Sequence, residues 1–407
     1  MPWFRRASPS PEDQFAREVI ALAREIGGPK VRRLDGFALR IEWPGGGPVT
    51  MNLQNIYAEA RQLDGDERAE YLRRAVLGMA PHDRPAEWNV AAPLLLPAVR
   101  SVSWSNAASV GAEPGASAPI PFGKPLAPFI KVACAIDFEH SMTFATPEDL
   151  AAWGVTDDEA LRTATANLAR MPMEVSRAGP TAMVRGPDGY ASSWLAVPAM
   201  LSRIPGGFGG SVIALAPTRD LLVLADTDDS EATVRVLDLA LEGYQEAPRQ
   251  LSPVPYLISE TGIEPWAPPP GHPARSAAAR AARDLAAAEY GQQTAMLGEL
   301  FAKTGEDVHV ANYMLMHEED GSSWSWAAWN RQVANGLLPR ADMLIIGDND
   351  DPDAMITVRW EDALRAAGHV LREEPAYDPP RWRYRGGLDG DTLASLRAHA
   401  VPLRRLG

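Results

Sequence analysis

The chain has 407 residues, a formal net charge of −14 and a hydrophobic content of 46%. That content is ordinary for a globular protein with a real core. The acidic balance argues against sequence-wide nucleic-acid binding, because a phosphate backbone needs a basic footprint. The single cysteine, Cys134, excludes intramolecular disulfides and cysteine-rich zinc sites, and it lies in an apolar run that is typical of a buried strand.

The N-terminal residues do not read as a signal peptide, because no apolar segment follows Arg5 and Arg6. No run of the chain approaches the roughly 20 apolar residues that a membrane span needs. One cysteine is also compatible with a reducing compartment. The sequence therefore predicts a cytoplasmic protein without a membrane segment.

The first elements in chain order are a helix, a hairpin and a second helical region. Ser10 is a candidate N-cap, Pro11 suits the first helical position, and two acids follow. Two strands, 37–43 and 49–53, flank a turn rich in Pro and Gly. The helix that follows is predicted to break near Asp64–Asp66.

The strongest structural signal lies between Gly206 and Tyr244. Two apolar runs, Val212 to Leu215 and Leu221 to Ala225, flank a turn and predict strands buried on both faces. An amphipathic helix follows from Ser230. The glycines 206–210 precede a strand and no lysine follows them, so they predict a lead-in turn and not a phosphate loop.

The segment 263–273 is the clearest linker, because its prolines favour an extended spacer. An alanine-rich helix is predicted over 274–303, then a hairpin over 308–316 and 323–327. A third hairpin and helix follow over 342–367. The expected fold is α+β, with repeated β-hairpin–helix units and mixed or antiparallel sheets flanked by helices. The expected domains are residues 1–262, the linker 263–273, and a smaller C-terminal α+β domain over 274–407.

Several stretches of the first region are similar to one family. They are the run from Leu94 to Ser101, the segments 135–137 and 150–156, the hairpin 212–226 and the helix start Asn52–Glu59. Together these motifs resemble the YtpQ-like family, domain of unknown function 1444, over roughly residues 12–265. The resemblance implies a bacterial, cytosolic protein and supports the domain boundary. It implies no activity and no catalytic residues, and the segment after the linker lies outside it.

Four residues are candidates for binding. Arg100 is an isolated charge in an apolar strand, where it can form a salt bridge with an acid or bind an anionic group. Trp324, Trp326 and Trp329 cluster beside a predicted hairpin, and residues at i and i+2 of a strand share one face. Core packing is one interpretation of the tryptophans, and an interaction surface is the other.

No candidate for a metal, a cofactor or catalysis survives inspection of the spacing. The acids from Asp348 to Asp353 do not match a calcium loop, because the sixth position is Asp353 and the twelfth is Arg359. The seven histidines lack HxxxH and HExxH spacing. The alternating bases and aromatics of Arg381–Arg385 indicate an edge strand, although nucleic-acid stacking uses the same pattern.

Two classes of function remain. The first is a non-enzymatic protein-binding or adaptor protein that recognises its partner by a sheet edge or by the aromatic patch. The second is a hydrolase with an unrecognised active site. Because no nucleophile, base or metal set converges in the sequence, the first class is favoured. Neither the partner nor the oligomeric state follows from the sequence.

Overall fold

The structure is a computed structural model. It describes residues 10–34, 36–104, 122–139, 141–186, 189–204, 208–247, 249–319, 321–348 and 351–402, the side chains of 351–354 excepted. The glycine run of the sequence therefore lies partly outside the described residues.

The helices differ widely in length, from one turn to 30 residues. In chain order they are α1 (Pro11–Gly27), α2 (Leu53–Ala60), α3 (Gly65–Leu77), α4 (Trp88–Ala91), α5 (Pro147–Trp153), α6 (Asp157–Arg170), α7 (Pro198–Leu201), α8 (Ser230–Glu246), α9 (Arg275–Thr304), α10 (Trp360–Ala367) and α11 (Gly390–Ala398), with short 3-10 turns at Ala92–Leu94 and Ala191–Ala196.

The strands are mostly short. They are β1 (Lys30–Arg33), β2 (Ala38–Glu42), β3 (Pro48–Asn52), β4 (Leu95–Ser101), β5 (Gly123–Ala127), β6 (Ile130–Asp137), β7 (Met142–Phe144), β8 (Glu174–Ala178), β9 (Thr181–Arg185), β10 (Val212–Thr218), β11 (Leu221–Asp226), β12 (Gln250–Ile258), β13 (Ile263–Pro265), β14 (His309–Val310), β15 (Met314–His317), β16 (Ser323–Asn330), β17 (Asn335–Pro339), β18 (Met343–Asp348), β19 (Asp351–Arg359), β20 (Leu371–Glu374) and β21 (Arg381–Arg385).

The fold class is α+β, as predicted, with antiparallel and mixed sheets. The chain divides into two compact units, one formed by Met1–Leu96 with Cys134–Ala164 and the other by Pro97–Ala133 with Thr165–Gly407. The boundaries of these units differ from the domains expected from the sequence, since the segment 263–273 lies inside the second unit. Whether residues 1–262 fold alone stays a prediction.

The first unit packs α1, α2 and α3 on one face of the antiparallel sheet β1-β2-β3. Leu39, Ile41 and Met51 point into this core and are almost fully buried. The predicted helix break is present, because α2 ends at Ala60 and α3 begins at Gly65. The opposite face of the sheet carries charged and polar side chains, because side chains alternate along each strand.

The second unit contains a six-stranded antiparallel sheet of order β13-β12-β10-β11-β9-β8. The predicted hairpin is β10 and β11, and the predicted helix is α8. The carboxylate of Asp226 accepts hydrogen bonds from the backbone amides of Gly209 (2.5 Å), Gly210 (3.1 Å) and Asp228 (3.0 Å). A Cβ on Gly210 would lie 2.4 Å from Asp228 Cγ, so a larger residue at this position would require Asp228 to move. The described end of the glycine run is therefore a tightly packed turn.

The linker prediction needs one correction. Its first residues form β13, which pairs with β12 from Tyr256↔Pro265 to Ile258↔Ile263. After it, Ala274 and Ala278 at the start of α9 join the buried cluster of Ile213, Leu215 and Leu237. The alanine-rich helix is thus present as predicted, and its first turns complete the core of the central sheet.

Two four-stranded sheets of the second unit have the orders β14-β17-β21-β20 and β15-β16-β18-β19, and a further sheet has the order β4-β6-β5 with β7 paired to β6. The predicted strand over 308–316 is divided between them, because β14 pairs in parallel with β17 whereas β15 pairs with β16. The described residues contain no helix that is long and apolar enough to cross a membrane.

Candidate protein-binding surface

The sheet β15-β16-β18-β19 brings side chains from four strands into rows. Its register aligns Met314 with Trp326, Trp326 with Met343, and Met343 with Arg359. Because neighbours in register point to the same side of a sheet, these four side chains form one row on one face. Met316 and Trp324 form a neighbouring row across β15 and β16.

The other face of this sheet belongs to the core. Trp329 is 2% exposed and packs with Leu344 and Ile346, and its ring centroid lies 5.1 Å from that of Tyr384. Trp329 is an odd number of residues from Trp324 and Trp326, so it points to the opposite side of β16. The three candidate tryptophans are therefore not one patch, and Trp329 is a core residue.

Apolar side chains are accessible on the first face. Met314, Met316 and Met355 are 39%, 43% and 53% exposed, and Trp324, Trp326 and Ile345 are partly buried. Met355 belongs to this face because its Cγ lies 2.7 Å from the position that a Cβ on Gly347 would take. We call this set the Trp–Met face: Met314, Met316, Trp324, Trp326, Ile345 and Met355.

Trp324 is held in place by its polar edge. Its indole N–H donates a hydrogen bond of 2.7 Å to the carboxylate of Glu318, in the turn between β15 and β16. The bond satisfies the indole donor and leaves the ring as apolar contact area. A partly exposed tryptophan with a fixed orientation loses little entropy when a partner covers it.

A cleft of about 790 Å³ lies at one end of the Trp–Met face. Trp324 and Met343 contribute to its lining beside several charged side chains. Two of the arginines are paired: Arg283 with Asp342 at 2.8 Å, and Arg340 with Glu361 at 2.7 Å. Asp342 also accepts from the backbone amide (2.7 Å) and hydroxyl (2.8 Å) of Ser325, so this part of the wall is well ordered by hydrogen bonds.

Arg359 differs from the other arginines of the cleft. It is exposed, and its guanidinium makes no hydrogen bond or ion pair with any residue that the structure describes. It ends the row that starts at Met314. Among the described residues, Arg359 is therefore a cation at the rim of the Trp–Met face that a carboxylate from another molecule can pair with.

Arg100, the fourth candidate, lies elsewhere. It is in β4, is 3% exposed, and its Nη1 donates a hydrogen bond of 2.8 Å to the carbonyl of Val99. Burial and, after it, the positive charge of Arg219 lower its pKa to about 9, whereas Tyr190 and Asp220 act in the opposite direction. Arg100 is an interior residue of the second unit and does not contribute to the Trp–Met face.

One serine–histidine pair bears on the hydrolase hypothesis. Ser230 Oγ lies 3.2 Å from His272 Nε2, and His272 Nδ1 accepts a hydrogen bond of 3.1 Å from the amide of Ala274. An imidazole whose Nδ1 accepts carries its proton on Nε2 when neutral, so Nε2 donates to the serine and cannot take its proton. Within the described residues, no group of three His, Cys, Asp or Glu side chains is placed to hold a metal ion.

The acidic tip expected at Asp348–Asp353 lies mostly outside the described side chains. Asp348 is described, and its carboxylate lies 3.4 Å from Arg331 Nη1.

Sequence reasoning missed the methionines and Arg359. Met314 and Met316 are two residues apart in a predicted strand, as Trp324 and Trp326 are in the next one. This matched period of two could have indicated one apolar face across both strands. The position of Arg359 beside Met343 depends on the pairing of β18 with β19, which local sequence does not specify.

No family model, no curated protein and no solved structure matches the chain. The resemblance to the YtpQ-like family stays a prediction.

Proposed function

We propose that the chain is a non-enzymatic protein-binding or adaptor protein of the bacterial cytosol, and that its partner docks on the Trp–Met face. The partner presents an apolar surface with a carboxylate at its edge, which pairs with Arg359. The observation that carries the proposal is the accessible Trp–Met face, on which Met314, Met316 and Met355 are exposed. Arg359 ends the row that starts at Met314 and crosses the partly exposed Trp326 and the buried Met343.

The composition of this face supports the proposal. Aromatic residues, methionine and arginine are enriched in the buried centres of protein interfaces, whereas scattered single apolar residues are normal on any surface. Methionine adapts its shape to a partner, and tryptophan supplies a large rigid contact area. Here both types lie together on one side of a sheet whose other side is already packed in the core.

The charges at the rim support the stated chemistry of the partner. Arg283 and Arg340 have carboxylate partners within the chain. Arg359 is the cation of the cleft that an incoming acid can engage without breaking either of these pairs. An acidic group on the partner gains an ion pair there, and a basic group at the same place is disfavoured.

The test is site-specific photocrosslinking in the native host. A benzophenone amino acid replaces Met316 in one variant and Leu239 in a matched control, because Leu239 is 66% exposed but lies on α8, away from the Trp–Met face. We expect one defined crosslinked protein from position 316 and none from position 239. The crosslink should disappear in Trp326→Ala and in Arg359→Glu, with the thermal midpoint of both variants unchanged.

Rescue of the crosslink by a charge swap distinguishes specific recognition from non-specific binding. In a charge-swap experiment, a lysine replaces the carboxylate of the partner that pairs with Arg359. This partner variant should crosslink to the Arg359→Glu chain, and it should crosslink less to the chain with the native arginine. Equal crosslinking from positions 316 and 239, or crosslinking that survives both substitutions, would contradict the proposal.

A further inference from the structure

The first unit carries a second, unrelated surface, and we infer that the exposed face and free edge of the sheet β1-β2-β3 bind an extended acidic segment of a partner protein. This inference is independent of the Trp–Met face, which belongs to the other unit. It rests on cation placement, strand register and the availability of a strand edge.

Three cations lie together on this face of the sheet. Lys30 and Arg32 of β1 and Arg40 of β2 are exposed, and Arg32 is directly opposite Arg40 in the register. Glu42 is opposite Lys30, and its carboxylate lies 3.5 Å from Arg40 Nε along the same strand. A cavity of about 480 Å³ is lined by these four side chains and Val31.

The Arg32–Arg40 pair is unfavourable for the isolated sheet. Like charges directly across an antiparallel pair are destabilising, and Glu42 can offset one of the two. Neither Lys30 nor Arg32 makes a side-chain hydrogen bond or ion pair with another described residue. The chain as a whole has a net charge of −14, so this group of cations differs in sign from the overall charge. An incoming anion removes the repulsion and gains charge-assisted hydrogen bonds.

The edge of the sheet specifies the form of the ligand. The sheet order places β1 at the edge, with β2 as its strand neighbour in the described part of the chain. An exposed edge presents unpaired backbone groups that a further strand can bind. A strand added at β1 places its alternate side chains on the side where Lys30 and Arg32 lie.

The spacing of the cations matches such a strand. Lys30 and Arg32 are two residues apart, which is about 7 Å along a strand, and carboxylates at i and i+2 of an added strand repeat at the same distance. The buried side of the sheet, with Ile41 and Met51, is already covered by helices. The ligand class is therefore a polypeptide segment with acidic residues at alternate positions.

The test uses a fluorescein-labelled peptide of sequence Glu-Thr-Glu-Thr-Glu-Thr and fluorescence anisotropy with the full chain. A second peptide of the same composition, Glu-Glu-Glu-Thr-Thr-Thr, has the same charge but different spacing. We expect the alternating peptide to bind at low salt, more tightly than the block peptide. Arg32→Glu should weaken binding at least about tenfold, with a loss of affinity at high salt. The matched control Arg73→Glu, an exposed arginine on α3, should leave it within about twofold.

Strand addition has a separate readout. Methylation of alternate peptide amides, tested for each of the two sets, should abolish binding for one set, because one set of N–H groups bonds to β1. The inference is overturned if the native chain does not bind the alternating peptide, if both peptides bind equally, or if neither methylated set loses affinity. Equal loss in Arg73→Glu, or equally tight binding of a thymidine oligonucleotide, would show a general polyanion effect and would overturn it as well.

Discussion

Gln293 on α9 accepts a hydrogen bond of 2.6 Å from Nε of Arg381 on β21, and both side chains are almost completely buried. The guanidinium also donates to Thr294 Oγ1 at 2.6 Å and to the carbonyl of Ala311 at 2.8 Å. All of these acceptors are neutral. Burial lowers the pKa of Arg381 to about 10, a value that still leaves the guanidinium charged at neutral pH.

This network predicts a stability effect at Gln293. In Gln293→Leu, the buried Nε of Arg381 loses its acceptor and the carbonyl of Pro379 loses a donor at 2.7 Å. Unsatisfied buried polar groups cost about 1–3 kcal/mol each, so we expect a clear loss in the free energy of unfolding. Denaturant titration measures it. The neighbouring exposed Gln292→Leu is the control, and equal midpoints for the two variants would contradict the role of the network.

The burial of Glu289, also on α9, makes the contribution of this residue to stability depend on pH. Burial raises its pKa above the ordinary value of 4.5, although the amide of Ser103 donates to its Oε2 at 2.8 Å and acts against the rise. The folded state therefore binds the proton more tightly than the unfolded state. The stability from this group is complete below about pH 4.5 and is lost as pH rises through the folded pKa.

We therefore expect Glu289→Gln to raise the thermal midpoint at pH 7, because it removes a buried charge and keeps an acceptor for Ser103. The gain should shrink toward acid pH. Calorimetry at several pH values measures it, with the exposed Glu299→Gln as the control. A loss of stability at pH 7, or a gain that is independent of pH, would show that burial of the charge is not the dominant effect.

A charged substitution at Leu222, in the central strand β11, should cause a large loss of folding stability. Leu222 is 0% exposed, so Leu222→Asp places an unpaired charge in the core, at a cost of several kcal/mol that approaches the total stability of a domain. Val223 is partly buried, and Val223→Asp should cost less. Circular dichroism of the purified variants measures both. A native melting curve for Leu222→Asp would disprove the burial of this strand, and Leu239→Asp on the surface of α8 serves as control.

The first turns of α9 should determine the stability of N-terminal fragments of the chain. A fragment of residues 1–265 lacks Ala274 and Ala278, which complete the cluster of the central sheet, whereas a fragment of residues 1–282 retains them. Burying these two methyl groups contributes on the order of 1–2 kcal/mol. The longer fragment should therefore melt at the higher temperature. Equal melting temperatures would support the independent unit that ends before residue 263.

Local sequence was sufficient to predict many elements of this protein. The hairpin β10–β11 with its helix α8, the break between α2 and α3, and the alanine-rich α9 follow from turn residues, capping residues and the spacing of apolar side chains. Each of these signals acts between residues near in sequence, so each can be read from the chain without knowledge of its partners.

The sequence also determines which side chains of β16 share a face, because side chains alternate along a strand. Trp324 and Trp326 lie on one face, and Trp329 lies on the other. Which of the two faces is covered depends on packing by elements distant in sequence, such as β18 and β21, and the tertiary structure decided it in favour of Trp329 as the core residue. The same reason explains why β14 and β15, predicted as one strand, belong to different sheets. Strand pairing and burial depend on contacts between residues distant in sequence, so the row from Met314 to Arg359 exists only in the folded sheet and cannot be read from any one strand.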